Sequence, residues 1–165
     1  SRLDFIEPFL GQSVSFSSGL TVSIVSPHQL LQAKQSITPG YQIPTLSEND
    51  TSLVALIGYG ELDFLAVGDL EKTGESVLTT FFKFGSIDIL KVGHHGAKTS
   101  STMQFLQAIT PSMAVVSVGS NNSYGHPSQE VLKRLGQVGA RVLRTDVDGT
   151  IEIVSDGSQW WLRSH

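Results

Sequence analysis

Two short segments carry residue types that do chemistry on phosphate or acyl groups. Val67-Gly68-Asp69 closes an apolar run from Leu62 to Val67, and Val92-Gly93-His94-His95-Gly96 closes a second from Ile87 to Val92. Each run reads as a buried strand that stops in glycine and is followed by oxygen or nitrogen donors of the kind that bind zinc and other divalent ions. Side chains just past strand ends converge over the edge of a sheet, where a metal or a phosphate is within reach. Metal-assisted hydrolysis needs a Lewis acid, ligands that leave a position open, and often a carboxylate shared between two ions roughly 3.5–4 Å apart. Asp69 has the chemistry of that shared carboxylate, and a histidine that of a terminal ligand. On spacing alone Gly-Asp after a strand is also an ordinary turn pair, so the two segments do not by themselves make a closed site.

The elements that must position these residues fit one domain spanning 1–165, since 165 residues with 39% hydrophobic content suffice for one core and demand no second. There is no cysteine, so any metal here is held by nitrogen and oxygen. The net charge of −4 argues against strong nonspecific nucleic-acid binding and leaves any grip on phosphate local. Apolar runs fall far short of the roughly 20 residues that cross a bilayer, and no signal-peptide pattern is present.

Alternation of Leu20, Val22 and Ile24 predicts a hairpin with Ser13 to Phe16 across Ser18-Gly19. Gln29 to Glu48 is polar and punctuated by Pro39-Gly40 and Pro44, and reads as a mobile surface loop. Leu53 to Ile57 and Leu62 to Val67 form a second hairpin around Gly58-Tyr59-Gly60-Glu61. Val77, Leu78, Phe81 and Phe82 share a helical face, with Gly85 ending that element. Then come the strand Ile87 to Val92, a helix Thr102 to Ile109 stopped by Pro111, and the strand Met113 to Val118. Pro127 begins a helix with Val131, Leu132, Leu135 and Val138 on its core face. Strands Arg141 to Arg144 and Thr150 to Val154 follow, then a return through Asp156-Gly157 to Trp160-Trp161-Leu162, with one tryptophan in the core. The fold class is α/β, an α+β layered sheet. The strands from Leu53 through Val118 are expected in one mixed sheet with helices mainly on one face.

The order Leu90-Lys91-Val92-Gly93-His94-His95-Gly96-Ala97-Lys98-Thr99-Ser100-Ser101, then Pro111, Ser117-Val118-Gly119, Asn122-Ser123-Tyr124-Gly125-His126-Pro127, Arg144-Thr145-Asp146 and Gly149-Thr150-Ile151 resembles the C-terminal domain of the ComEC family of competence DNA-uptake proteins. Upstream, Glu48-Asn49-Asp50-Thr51-Ser52-Leu53-Val54, Phe64-Leu65-Ala66-Val67-Gly68-Asp69 and Glu75 match the same family, so the resemblance runs from about Asn49 to Ile153. That domain belongs to the metallo-β-lactamase superfamily. The resemblance implies an αβ/βα sandwich and a dinuclear site of two divalent ions, zinc or manganese. It makes Asp69 the bridging carboxylate and one of His94 and His95 the last histidine ligand, a slight preference falling on His94.

The superfamily's His-x-His-x-Asp-His cluster is missing from this chain, where His28 and His165 stand alone. The sequence therefore resembles only the C-terminal half of the domain. By itself it is expected to be inactive and to bind metal weakly or not at all, since a tight zinc site takes four ligands. Its implied partners are the missing N-terminal half, the membrane-channel portion of a parent in the bacterial inner membrane, single-stranded DNA as substrate, and a second copy of the fragment. The domain itself is expected to be soluble. Lys98, Thr99 and Ser100 are candidates for phosphate contact, with Thr99 or Ser100 also a helix cap. Asn122 is a candidate for substrate binding, His126 for substrate binding or proton transfer, and Asn49 and Ser52 for pinning the active-site loop. Asp146-Val147-Asp148-Gly149 reads as a turn, because no glutamate follows at the calcium-loop position. The function implied is phosphodiester hydrolysis of one DNA strand during uptake. A noncatalytic pairing module of the uptake channel, or a hydrolase of small esters or phosphoesters, are the alternatives.

Overall fold

The computed structural model describes residues 11–25, 27–38 and 40–163. Pro39 and His165 lie outside the described residues, as does the side chain of His28. β1 (Ser13–Ser15), β2 (Leu20–Val25), β3 (Val54–Tyr59) and β4 (Leu62–Ala66) pair antiparallel in succession. β5 (Ile89–Lys91), β6 (Met113–Val116) and β7 (Arg141–Arg144) then add in parallel, giving a seven-stranded mixed sheet in sequence order. The helices α2 (Lys72–Phe81), α3 (Met103–Ile109) and α4 (Gln129–Gln137) are the crossovers between the parallel strands. Parallel crossovers share one hand, so such helices stack on one face. They join α1 (Pro27–Ile37) in a single layer there, each touching the next.

The core lies between that layer and one row of the sheet. Leu65, Leu90 and Ala114, register partners on β4, β5 and β6, meet Leu78, Phe105, Leu106, Val131 and Leu135, all buried. The row one residue along carries Val22, Ile57, Phe64, Ile89 and Met113 on the second face. Ile89 and Met113 are buried and the other three half-buried, so this face is partly covered although the helices lie on the other. A hairpin of β8 (Glu152–Ser155) and β9 (Trp160–Arg163) reaches this side of the molecule. Its Leu162 shares a cavity with Arg141 and Leu143, and the Gly157 carbonyl accepts the Glu61 N–H at 2.7 Å.

Five local readings differ from the sequence. The stretch read as a mobile loop begins with helix α1, which has Pro27 at its first position, buries Leu31 and packs Leu30 on the core; residues 41–47 lack regular structure. With one leucine pair among polar residues, its periodicity is too faint to see. Helix α2 stops at Phe81, and Phe82 turns extended to pack beside Phe84 at a ring distance of 4.8 Å. Pro127 precedes helix α4, whose cap is Ser128. Neither tryptophan is buried: Trp160 is half-buried and Trp161 exposed. The turn at 145–148 is one short helix, α5 (Thr145–Asp148).

Candidate functional site

The candidate residues gather at the carboxyl ends of the parallel strands, the edge where open α/β sheets bind ligands. Asp69 follows β4, and its amide N–H donates to the Ser52 hydroxyl at 3.1 Å, so Ser52 does pin this loop. His94 and His95 follow β5 in a 3-10 turn (Gly93–Gly96), both left-handed with φ of 46° and 52°. Such backbone costs a non-glycine residue roughly 1–3 kcal/mol and needs surroundings that hold it. Here a Cβ on Gly93 would lie 2.8 Å from the Leu70 carbonyl, and one on Gly96 2.6 Å from Pro127 Cβ. Glycine on both sides lets the turn sit tightly between helix α2's start and the loop before α4.

This backbone sends the two imidazoles to different partners. His95 Nδ1 donates to the Ser117 carbonyl at 2.6 Å, which leaves Nε2 as the lone-pair nitrogen, 3.9 Å from Asp69 Oδ1. Metal-bound histidines commonly have their other nitrogen fixed in this way. Both side chains are open to solvent, His95 at 47% and Asp69 at 43%. His94 Nδ1 instead donates to Glu71 Oε1 at 3.0 Å. The Asn49 amide lies 3.3 Å from the same ring nitrogen. The Thr99 hydroxyl, at 2.6 Å, is the main influence holding the Glu71 carboxyl below its ordinary range, with His94 and Asn49 adding to it.

A buried carboxylate, Asp50, frees Glu71 for this role. Glu71 is the residue before helix α2 and makes no capping bond. Asp50 Oδ1 accepts the Gly74 N–H at 2.8 Å in its place, satisfying a free donor of the helix start. Glu75, wholly buried, accepts the Thr102 N–H at 2.8 Å and the Ser101 N–H, and so anchors the loop to helix α3. Burial pushes the Glu75 carboxyl up.

Across from the histidine turn lies the loop from Gly119 to Pro127. Asn122 spans it, its amide donating to the Gly119 and His126 carbonyls and its oxygen accepting the His126 N–H at 2.9 Å. His126 packs edge-on to His94 with ring centres 5.7 Å apart, and Tyr124 stacks on His126 at 5.9 Å. Burial, helped by the neighbouring imidazoles of His94 and His95, holds His126 below the ordinary histidine range. Asp69, His94, His95, Tyr124 and His126 line one cavity of about 270 Å³.

Of the predicted residues, Asp69, His94, His95 and His126 are thus brought together, and the structure pairs Asp69 with His95 rather than with His94. The others go elsewhere. Ser100 is buried, its hydroxyl donating to the Gly93 and Ala97 carbonyls, so it offers nothing to a substrate. Neither Ser100 nor Thr99 caps α3; Thr102 does, accepting the Phe105 N–H at 3.3 Å. Thr99 is spent on Glu71, and Asn122 on its own loop. Lys98 is exposed and pairs with Glu130 at 3.0 Å, while Lys91 turns inward to the Gly68 carbonyl at 3.3 Å. Glu71 was not singled out in the sequence; the signal was an acid at a helix-cap position that ordinarily takes Ser, Thr, Asp or Asn.

The donors suit a divalent ion in kind. One imidazole nitrogen and one carboxylate oxygen face each other, but a tight zinc site takes four ligands. Among the described residues no three His, Cys, Asp or Glu side chains converge to hold an ion. Nor is any helix among them long and apolar enough to cross a membrane.

No family model matches the chain. It is 40% identical over 138 residues to ComE operon protein 3 of Bacillus subtilis, covering 81% of this chain and 18% of that protein. Competence protein ComA of Neisseria gonorrhoeae is 37% identical over 110 residues, covering 65% and 16%. Recombination protein 2 of Haemophilus influenzae is 32% identical over 135 residues, covering 82% and 15%. The chain spans under a fifth of the length of these relatives, whose names indicate a competence-family protein.

Proposed function

We propose that this chain is the C-terminal part of a metallo-β-lactamase-like hydrolase domain that cleaves phosphodiester bonds of one DNA strand during DNA uptake. The observation that carries this is the pairing of Asp69 Oδ1 with His95 Nε2 at 3.9 Å, with His95 Nδ1 tied to the Ser117 carbonyl. Together they set a carboxylate oxygen and a free imidazole nitrogen beside each other at the carboxyl end of the parallel strands. The competence names of the relatives support the setting in DNA uptake. The domain would be carried by a parent protein of the bacterial inner membrane, beside its channel portion. Further ligands would come from the domain's other half, beyond the described residues.

Asp69 and His95 would hold a zinc or manganese ion, which when bound supplies Lewis-acid polarisation of a phosphoryl oxygen. The chain's own residues prepare that event. Ser52 fixes the Asp69 backbone, and the Ser117 carbonyl keeps the His95 proton on Nδ1. Glu71 orients His94, which faces His126. A ring nitrogen of His126, which burial and the neighbouring imidazoles hold below the ordinary histidine range, is available to take a proton in the cavity. Lys98, whose exposed ion pair is of the weakly held kind, is free to meet a neighbouring phosphate.

The test is hydrolysis of single-stranded DNA by the intact protein with zinc or manganese, comparing wild type with Asp69→Asn. The substitution keeps the shape and removes the charge, so the rate is expected to fall by orders of magnitude with the thermal midpoint little changed. A wild-type rate in Asp69→Asn would count against the hydrolase and favour the noncatalytic pairing module.

A further inference from the structure

Beside the cavity that holds Asp69 and the histidines lies a second, apolar one of about 190 Å³, lined by His95, Val118, Gly119, Asn122, Tyr124 and His126. The two share His95, Tyr124 and His126, so they are compartments of one cleft. The second is smaller than the roughly 300–1,000 Å³ typical of pockets for drug-sized ligands and suits one flat ring system. At their junction Tyr124 is 81% exposed. One exposed aromatic residue on a loop is ordinary. This one is different because its ring lies at 15° to that of His126, stacked on it, and because it lines both compartments while remaining largely open to solvent. Asn122 spends its polar atoms within the loop, so the compartment meets a ligand with ring faces and carbon rather than with hydrogen bonds.

We propose that this compartment is a nucleobase subsite, in which Tyr124 stacks on the base adjoining the phosphodiester held over Asp69 and His95. The inference rests on the hydrolase reading and names the part of the substrate that the apolar compartment recognises. Stacking on an aromatic face is tolerant of base identity and contributes to single-strand binding without a basic surface, as a chain with a net charge of −4 requires. A duplex hides the faces of its bases in the stack, so the subsite selects a single strand. Tyr124 is a positioning residue: it sets where the strand lies and takes no part in bond cleavage.

The experiment measures binding by fluorescence anisotropy, using the intact protein with a labelled short oligothymidylate and an abasic strand of the same length. Wild type is expected to prefer the strand with bases roughly 10-fold or more. Tyr124→Ala is expected to bring the ratio of affinities close to one, and Tyr124→Phe to keep it. Gly119 lines the compartment and a Cβ there meets nothing within 4 Å, so Gly119→Val is expected to narrow the compartment and also to lower the ratio. A ratio near one in wild type, including no binding of either strand, overturns the proposal. So does a ratio unchanged in both Tyr124→Ala and Gly119→Val. Cleavage of the oligothymidylate, followed in parallel, separates the two readings. Base-dependent binding without metal-dependent cleavage upholds the subsite and sinks the hydrolase, whereas cleavage with a ratio near one does the reverse.

Discussion

Glu71 stands where helix α2 would take its cap, yet its carboxylate accepts from His94 Nδ1 at 3.0 Å. Asp50, reaching over from the preceding loop, supplies the cap bond to Gly74 instead. The strand-end loop, the helix start and the histidine turn are thereby tied into one unit, in which a buried carboxylate carries the fold and a half-exposed one serves the site.

Glu71→Gln is expected to lower hydrolysis about 10- to 100-fold, the scale on which misplacing a site group such as the His94 ring costs rate. Because the His94 pair is partly exposed, stability should change by under about 1 kcal/mol. Steady-state rates and urea denaturation of the same variant check both halves. A loss of several kcal/mol would make Glu71 a structural residue.

Glu75 is the opposite case. Glu75→Ala strips the buried Ser101 N–H and the partly buried Thr102 N–H of their acceptor, and about 2–4 kcal/mol of stability should be lost. Glu75→Gln keeps an oxygen for one donor but sets an amide against the other, so it should fall between Glu75→Ala and wild type. Urea midpoints order the three proteins.

Thr102→Ala should cost about 1 kcal/mol as the loss of the cap of α3. Thr99→Ala should cost less stability and instead weaken the hold on Glu71. Thermal midpoints distinguish the two; an equal or larger shift for Thr99 would return the cap to that residue.

Asp63 and Asp88 are neighbours across β4 and the approach to β5, where the Asp63 N–H donates to Asp88 Oδ2 at 2.8 Å. Burial, with Asp88 adding to it, raises the Asp63 carboxyl above its ordinary value. The folded state then holds that proton more tightly than the unfolded one, so stability falls as pH rises from the ordinary aspartate value through the raised one. At neutral pH the ionised group is a cost. Asp63→Asn should therefore raise the thermal midpoint at pH 7 slightly, and the gain should shrink as the pH is lowered towards the ordinary aspartate value. A gain that is constant with pH would exclude this cause.

The architecture was legible because periodicity reports burial: Leu65, Leu90 and Ala114 sit in apolar runs, and Val131 and Leu135 recur at helical spacing. Helix α1 was not, since it buries little besides Leu30 and Leu31. The cover over Ile89 and Met113 was hidden because a register argument says which face a residue takes and not what lies above it. At the site, Asp69, His94, His95 and His126 were visible by residue type. Glu71 was not, because its role follows from Asp50 taking its cap bond, a contact between residues distant in sequence. Which of His94 and His95 faces Asp69 was likewise out of reach, since two left-handed backbone positions send the adjacent rings to Glu71 and to Ser117.

The most direct test of the central claim is the zinc or manganese retained by the intact protein when His95 and His94 are replaced one at a time by alanine, measured by mass spectrometry of the metal after desalting. With Asp69 and His95 as the ligands, His95→Ala loses metal in proportion to its loss of single-strand cleavage, and His94→Ala loses activity while keeping most of its metal. Wild-type metal content in His95→Ala would contradict the account.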